Sequence, residues 1–214
     1  MLHVAGVPLI SHFGNYLTET YAAQQREDAS NYVESSAKVL EIGARFGAVS
    51  CVLNQKLSDK TKHVVVEPDD VVWETLERNR NLTNSEFSVI KGTLSKKPCN
   101  LTFRGGGILG GTKKYREDSR LSMTNRYHIT YNEFVETYFI PTTLILDCEG
   151  AFDQIFTEFP DILDHVNTIL MEWDADDEKI VEYWKTIFAL KGFMEVKSGF
   201  HSVYKKSLNP KNVL

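Results

Sequence analysis

Apolar runs of four to six residues alternate along this chain with longer stretches in which apolar positions recur at helical spacing. That is the pattern of strands feeding crossover helices in a parallel sheet. The stretch 16–36 has helical composition and leads into a first strand, Lys38 to Ile42, which ends at a glycine. A helix over Ala48 to Leu57 and the β-branched run His63 to Val66 follow, the latter stopped by Glu67-Pro68 because proline cannot continue a ladder. Asp69 and Asp70 suit the cap of the next helix, whose apolar positions are Val72, Trp73 and Leu76. A third strand is expected around Phe87 to Ile90. Regularity fails from 92 to 126 and resumes with Tyr127-His128-Ile129 and a helix over Tyr131 to Tyr138. Then come the strand Thr143 to Leu146, ending at Asp147, a helix from near Gly150, a strand from His165 to Met171 ending at Glu172, and an amphipathic helix over Asp177 to Leu190. Two strands about a Ser198-Gly199 turn close the pattern and should pair antiparallel.

The chain has 214 residues and a net charge of −5, which suits one α/β domain. Mild acidity argues against a general nucleic-acid binder. Cys51, Cys99 and Cys148 are odd in number and widely spaced, so neither a disulfide framework nor a zinc knuckle is indicated, and a cytoplasmic, reducing setting is the expectation. No segment reaches the roughly 20 apolar residues of a membrane span. The opening MLHVAGVPLI lacks a charged leader and a cleavage pattern and reads as a packed arm. Trp73 and Trp184 fall on helix faces that should pack against the sheet, Cys148 reads as a small apolar core residue, and Trp173 is placed to touch a ligand. His128 and His201 are the other candidate bases, able to reach the site or to lie at the surface, with the surface favoured.

Two glycine patterns compete. Gly105-x-Gly107-x-x-Gly110 matches a dinucleotide fingerprint in letters, but no apolar strand precedes it and no amphipathic helix follows. Glu41-Ile42-Gly43-Ala44-Arg45-Phe46-Gly47 has both, and Glu67 ends the next strand. Gly43 is expected to let a ligand lie against backbone amides, Gly47 to permit close helix approach, and Glu67 to accept hydrogen bonds from two ribose hydroxyls.

With these residues in view, LEIGARFG and VVVEPDDVVWETLERNRN resemble the cofactor half of class I S-adenosylmethionine-dependent methyltransferases, and LILDCEGAFDQIF resembles the signature of the FkbM-like family. The likeness spans about residues 38–205. It implies a doubly wound, seven-stranded, mostly parallel sheet with an antiparallel last strand in a single domain: 1–37 as an arm and helix, 38–205 as the core with a 92–126 insertion, and 206–214 as a tail. It further implies S-adenosylmethionine as cofactor, with Glu41, Gly43, Ala44 and Gly47 at its methionine part, Glu67 at its ribose, and the turn after the third strand, Gly92-Thr93, at its adenine. Asn79 and Asn81 fit the family's asparagine-containing helix end. Glu41 stands for the usual aspartate, Arg45 for the usual asparagine and Phe152 for a second glutamate. The acceptor implied is a hydroxyl of a small molecule, a sugar, glycan or nucleotide-linked sugar.

Three carboxylates, Asp147, Glu149 and Glu172, should share the carboxyl edge of adjacent strands. There a carboxylate can act as general base, or the three can hold a divalent cation such as Mg or Mn. The basic segment around Lys113, Lys114 and Arg116 suits a lid over the acceptor. Two other readings stay open. One is a nicotinamide-dependent Rossmann enzyme, against which stand Glu41 before the first glycine and the terminal antiparallel pair. The other is a non-catalytic interaction or assembly module of the same fold within a larger polypeptide; for the enzyme itself, a place in a larger glycan-modifying polypeptide or a homo-oligomer is also expected.

Overall fold

A computed structural model describes residues 1–98, 101–103, 112–115, 127–174 and 177–207. In chain order the elements are β1 (His3–Val4), β2 (Val7–Pro8), α1 (Ala23–Tyr32), β3 (Val39–Ile42), α2 (Ala48–Lys56), β4 (His63–Glu67), α3 (Asp70–Leu82) and β5 (Ser88–Leu94). They continue with β6 (Leu101–Phe103), β7 (Thr112–Tyr115), β8 (Tyr127–Ile129), α4 (Tyr131–Thr137), β9 (Thr143–Leu146), α5 (Phe152–Glu158), α6 (Ile162–His165), β10 (Thr168–Glu172), α7 (Glu178–Leu190), β11 (Phe193–Lys197) and β12 (His201–Lys206).

One sheet runs β11-β12-β10-β9-β3-β4-β5-β8. β12 pairs antiparallel with both β10 and β11, and β10, β9, β3, β4, β5 and β8 pair in parallel. The expected α/β sheet with its antiparallel last strand is therefore present, with β8 added as an eighth strand at one edge. β3, β4 and β9 are buried along their whole length, because helices cover both faces of a parallel sheet and both sides of each strand must then exclude water. Side chains alternate between the faces. Leu40, Ile42, Val64, Val66, Leu144 and Leu146 pack with Phe134, Phe152, Phe156 and Phe188 in the main core. Val39, Ile145, Leu170 and Val203 meet Ala29, Val49 and Leu53 of α1 and α2 on the other side.

Caps fix several helix starts. Asp69 accepts from the Val71 amide and Asp177 from the Lys179 amide, each satisfying a donor with no partner inside its helix. Thr130 and Glu133 form a reciprocal capping box at α4. The amino-terminal arm packs as expected, with Leu2, Val4, Leu9 and Leu17 buried against Phe46, Val72 and Leu76. Asn79 ties it down, accepting from the Ile10 amide and donating to the Ile10 and Phe46 carbonyls.

Several boundaries differ from the sequence reading. The first helix occupies only Ala23–Tyr32, because Ala22 before it is left-handed at φ 47° and Val33 after it is extended. β5 runs on to Leu94, since β8 pairs with it at Gly92, Thr93 and Leu94. Gly92-Thr93 is thus inside a strand rather than in a turn after it, and a Cβ on Gly92 would stand 1.9 Å from the Tyr127 carbonyl oxygen. β10 starts at Thr168 because 162–165 form a helical turn, whose His165 Nδ1 lies 3.0 Å from the Tyr131 hydroxyl. The Gly105–Gly110 pattern and most of the basic segment of the expected lid lie outside the described residues. Among the described residues no helix is long and apolar enough to cross a membrane.

Candidate functional site

β4 and β5 lie on one side of β3, while β9 and β10 lie on the other. Strand order reverses at β3/β9, and ligands of such sheets bind outside the carboxyl ends of the strands at that reversal. A cavity of about 660 Å³ opens there, within the range of small-molecule and cofactor sites. It is lined by the Gly43–Arg45 turn, by the ends of β4, β9 and β10, and by Tyr21 to Gln25 and Asp28.

The turn after β3 is held from inside. Gly43 donates its amide to the Val66 carbonyl and Gly47 donates to the Ala44 carbonyl. The Ala44 and Arg45 amides both donate to Glu67 Oε2, at 3.0 and 2.8 Å, and the Asp69 amide donates to Glu67 Oε1 at 2.8 Å. Glu67 does line the cavity, but three of a carboxylate's roughly four lone-pair directions are filled by backbone. The expectation of two ribose hydroxyls on Glu67 is corrected accordingly: one acceptor direction remains. Burial pushes its pKa upward, against the pull of those three amides.

Gly43 also departs from its expected role. Its φ is +85°, and a Cβ there would stand 1.8 Å from the Asp147 carbonyl oxygen. The missing side chain makes room for the end of β9, so this glycine brings the turn and the carboxylate edge together. Arg45 is left-handed as well, at φ 47°, a conformation that asparagine tolerates better than arginine. The familiar asparagine at this position therefore has a backbone reason.

Glu41 borders the cavity, yet its carboxylate is only 1% exposed and is already engaged. Oε1 accepts from the Ser50 hydroxyl at 2.9 Å and Oε2 meets His63 Nε2 at 2.8 Å. These bonds fasten α2 and β4 to β3. Gly43 and Ala44 line the cavity, while Gly47 acts as the left-handed residue that starts α2.

At the other edge the structure gathers carboxylates, though not the expected trio. Asp147, Glu172 and Asp174 each offer an oxygen within 4.8 Å of the others. Glu149 lines the cavity but lies outside this group; it sits in a left-handed turn at φ 53°. Asp174, two residues past the strand end, takes its place. Burial raises the Asp147 pKa to about 7, helped by the charges of Asp174 and Glu149. Burial raises Glu172 further, to about 9, with Asp147 and Asp174 adding to it. Like charges held this close cannot all ionise at neutral pH.

Two side chains from outside the expected set complete this edge. Gln25 of α1 donates its amide to Asp147 Oδ2 at 2.8 Å and to Glu172 Oε2 at 2.5 Å. His201, expected at the surface, lines the cavity with Nδ1 3.3 Å from Glu172 Oε2, and burial lowers its pKa. The first residue of the closing strand was a visible signal for His201, since β12 lies beside β10. Gln25 carried no such signal.

Trp173 is corrected to a core role: it is 8% exposed and packs edge-on against Phe152, at 5.3 Å between ring centroids, and against Tyr204. Phe152 is fully buried in that contact, so the family's second glutamate has no counterpart facing the cavity. Trp184 packs as expected. Trp73 is half-buried and donates its indole N–H to the Glu67 carbonyl. Cys148 packs against the main core.

No protein-family description and no curated protein matches this sequence. Among solved structures, the chain is similar to a protein of the NADB-Rossmann superfamily from Streptococcus agalactiae, with a TM-score of 0.52 at 15% identity over 87% of this chain and 69% of that one. It is also similar to precorrin-6y C5,15-methyltransferase from Geobacter metallireducens, with a TM-score of 0.51 at 8% identity over 86% of this chain and 87% of that one. The fold is Rossmann-like α/β, with a mostly parallel sheet flanked by helices and its crevice at the strand-order reversal.

Proposed function

We propose that this protein is an S-adenosylmethionine-dependent methyltransferase acting on a hydroxyl of a small molecule, with a sugar or glycan as the acceptor class implied by the FkbM-like resemblance. The observation that carries the reading is the polarity of the crevice. Seven carboxylates line it (Asp28, Glu41, Glu67, Asp69, Asp147, Glu149 and Glu172), against the single guanidinium of Arg45. The turn amides that would cradle a pyrophosphate are spent on Glu67 and on backbone carbonyls. A dinucleotide needs free N–H donors at that turn. A cofactor with a sulfonium and an ammonium needs acceptors, which the carboxyl groups lining this crevice supply.

When bound, the sulfonium supplies an electrophilic methyl group and leaves as a thioether. The chain's part is alignment and proton removal. Burial and the neighbouring charges raise both Asp147 and Glu172, so the pair keeps a proton near neutral pH and can take up another from the acceptor. Asp147 accepts the acceptor's hydroxyl proton as its oxygen bonds to the methyl carbon, then releases it to water. A base with a pKa near the working pH suits this task. Asp147, Glu172 and Asp174 are the residues that would hold a divalent cation, and their oxygen donors fit Mg or Mn; such an ion would lower the acceptor's pKa.

The test is a methyl-donor assay over a panel of sugars and nucleotide sugars, with and without chelator, alongside titrations with S-adenosylhomocysteine and NAD. Methyl transfer with S-adenosylhomocysteine binding supports the reading. Binding of NAD alone overturns it, and cofactor binding with no product from any acceptor favours a non-catalytic module.

A further inference from the structure

The first helix is held over the cavity by polar contacts. α1 buries only Asp28 and Ala29, and Asp28 receives Lys197 Nζ at 2.6 Å on both carboxylate oxygens. The segment before it is fastened by Arg26, which donates to the Tyr21 and Glu19 carbonyls. These tethers set Gln25 between two carboxylates that lie 122 and 147 residues further along the chain. The amide presents its nitrogen to both groups. One hydrogen then goes to each carboxylate.

We propose that Gln25 is a positioning residue for the methyl transfer, an inference that rests on the methyltransferase reading above. By bonding to both Asp147 Oδ2 and Glu172 Oε2, it holds the two side chains together and fixes the rotamer of each. Asp147 lines the cavity, and Gln25 holds its Oδ2 in place without adding a charge. A lysine at this place would bind Asp147 as an ion pair and weaken it as a base. The amino-terminal helix is then part of the catalytic apparatus rather than an arm beside it.

The experiment compares wild type with Gln25→Met, which keeps the length and loses the donor, using an acceptor found in the panel and S-adenosylhomocysteine calorimetry. The expected result is a kcat about 30-fold lower, since a base misplaced by about an ångström costs on the order of a hundredfold. Acceptor KM and S-adenosylhomocysteine Kd should each stay within about threefold. Gln25→Glu, which keeps the shape and replaces the donor by a carboxylate, should show the same split and serves if the methionine variant folds poorly. Ser30→Ala, on the exposed side of the same helix, should leave turnover unchanged. An unchanged kcat in the Gln25 variants overturns the proposal, and so does a parallel loss of cofactor affinity, which would mean that Gln25 only holds the helix. If wild type neither binds S-adenosylhomocysteine nor transfers a methyl group, the methyltransferase reading itself falls and takes this inference with it.

Discussion

At the β3–β4 edge of the crevice the site is built from backbone and from residues close in sequence: Gly43, Ala44 and Arg45, with Glu67 some 22 residues on filling the turn's amides. At the β9–β10 edge it is built from side chains that only the fold brings together: Gln25 on α1, Asp147 just past β9, Glu172 on β10 and His201 on β12. The first arrangement tolerates substitutions that keep the backbone path. The second depends on individual functional groups, so conservative changes there should alter chemistry more than stability.

The largest effect expected from this contrast is at Asp147. Asp147→Asn should lower turnover by about 10²- to 10⁴-fold, while S-adenosylhomocysteine affinity, measured by calorimetry, stays nearly constant; comparable turnover would remove Asp147 from the mechanism. Gly43→Ala should act oppositely, through the fold. The new methyl would collide with the Asp147 carbonyl in a left-handed backbone, and overpacking plus backbone strain should cost at least about 3 kcal/mol in denaturant unfolding. A near-neutral result would show that the two edges are not in contact as described.

A smaller effect is the pH dependence of stability. Asp147 and Glu172 have folded-state pKa values raised above their ordinary ones, so between those limits the folded state binds more protons than the unfolded chain. Their contribution to stability is then fully present below about 4 and falls as pH rises through about 7 for Asp147 and on to about 9 for Glu172. Melting temperature should drop by about 5 °C between pH 6 and pH 9, and Asp147→Asn should flatten the lower part of that slope. A flat profile in the wild type would mean the carboxylates are not crowded. The smallest effect is expected at Arg45. Arg45→Asn relieves a left-handed arginine and should raise the melting temperature by about 2 °C with the glycine turn otherwise intact; a fall would show that the guanidinium's packing over Phe46, 5.2 Å from the ring centroid, outweighs the strain.

The same contrast explains what could be read from the chain alone. β3, β4 and β9 were legible because a strand buried on both faces is a short apolar run, and Asp147 and Glu172 were legible as the acids that end such runs. Asp69 announced its cap through its position after Pro68. The misreadings share a cause. Gly92-Thr93 looked like a turn because the strand that pairs with it, β8, lies across an irregular stretch. Glu149 and Asp174 were exchanged because a left-handed turn at Glu149 moves that side chain out of the group. Trp173 follows Glu172 directly, but alternation along the chain turns it into the core with Phe152.

The sequence by itself determined the class of fold, the order of strands and helices, and the acidic character of the strand ends, since each is set by local periodicity and by residues next to one another. Tertiary structure decided what each acid does. Glu41 is spent on Ser50 and His63, and Glu67 on the turn's amides, whereas Asp147 lines the cavity beside Glu172 with Gln25 bonded to both. Those assignments come from partners distant in sequence, and from burial, which alone turns ordinary carboxyls into groups that titrate near or above neutrality.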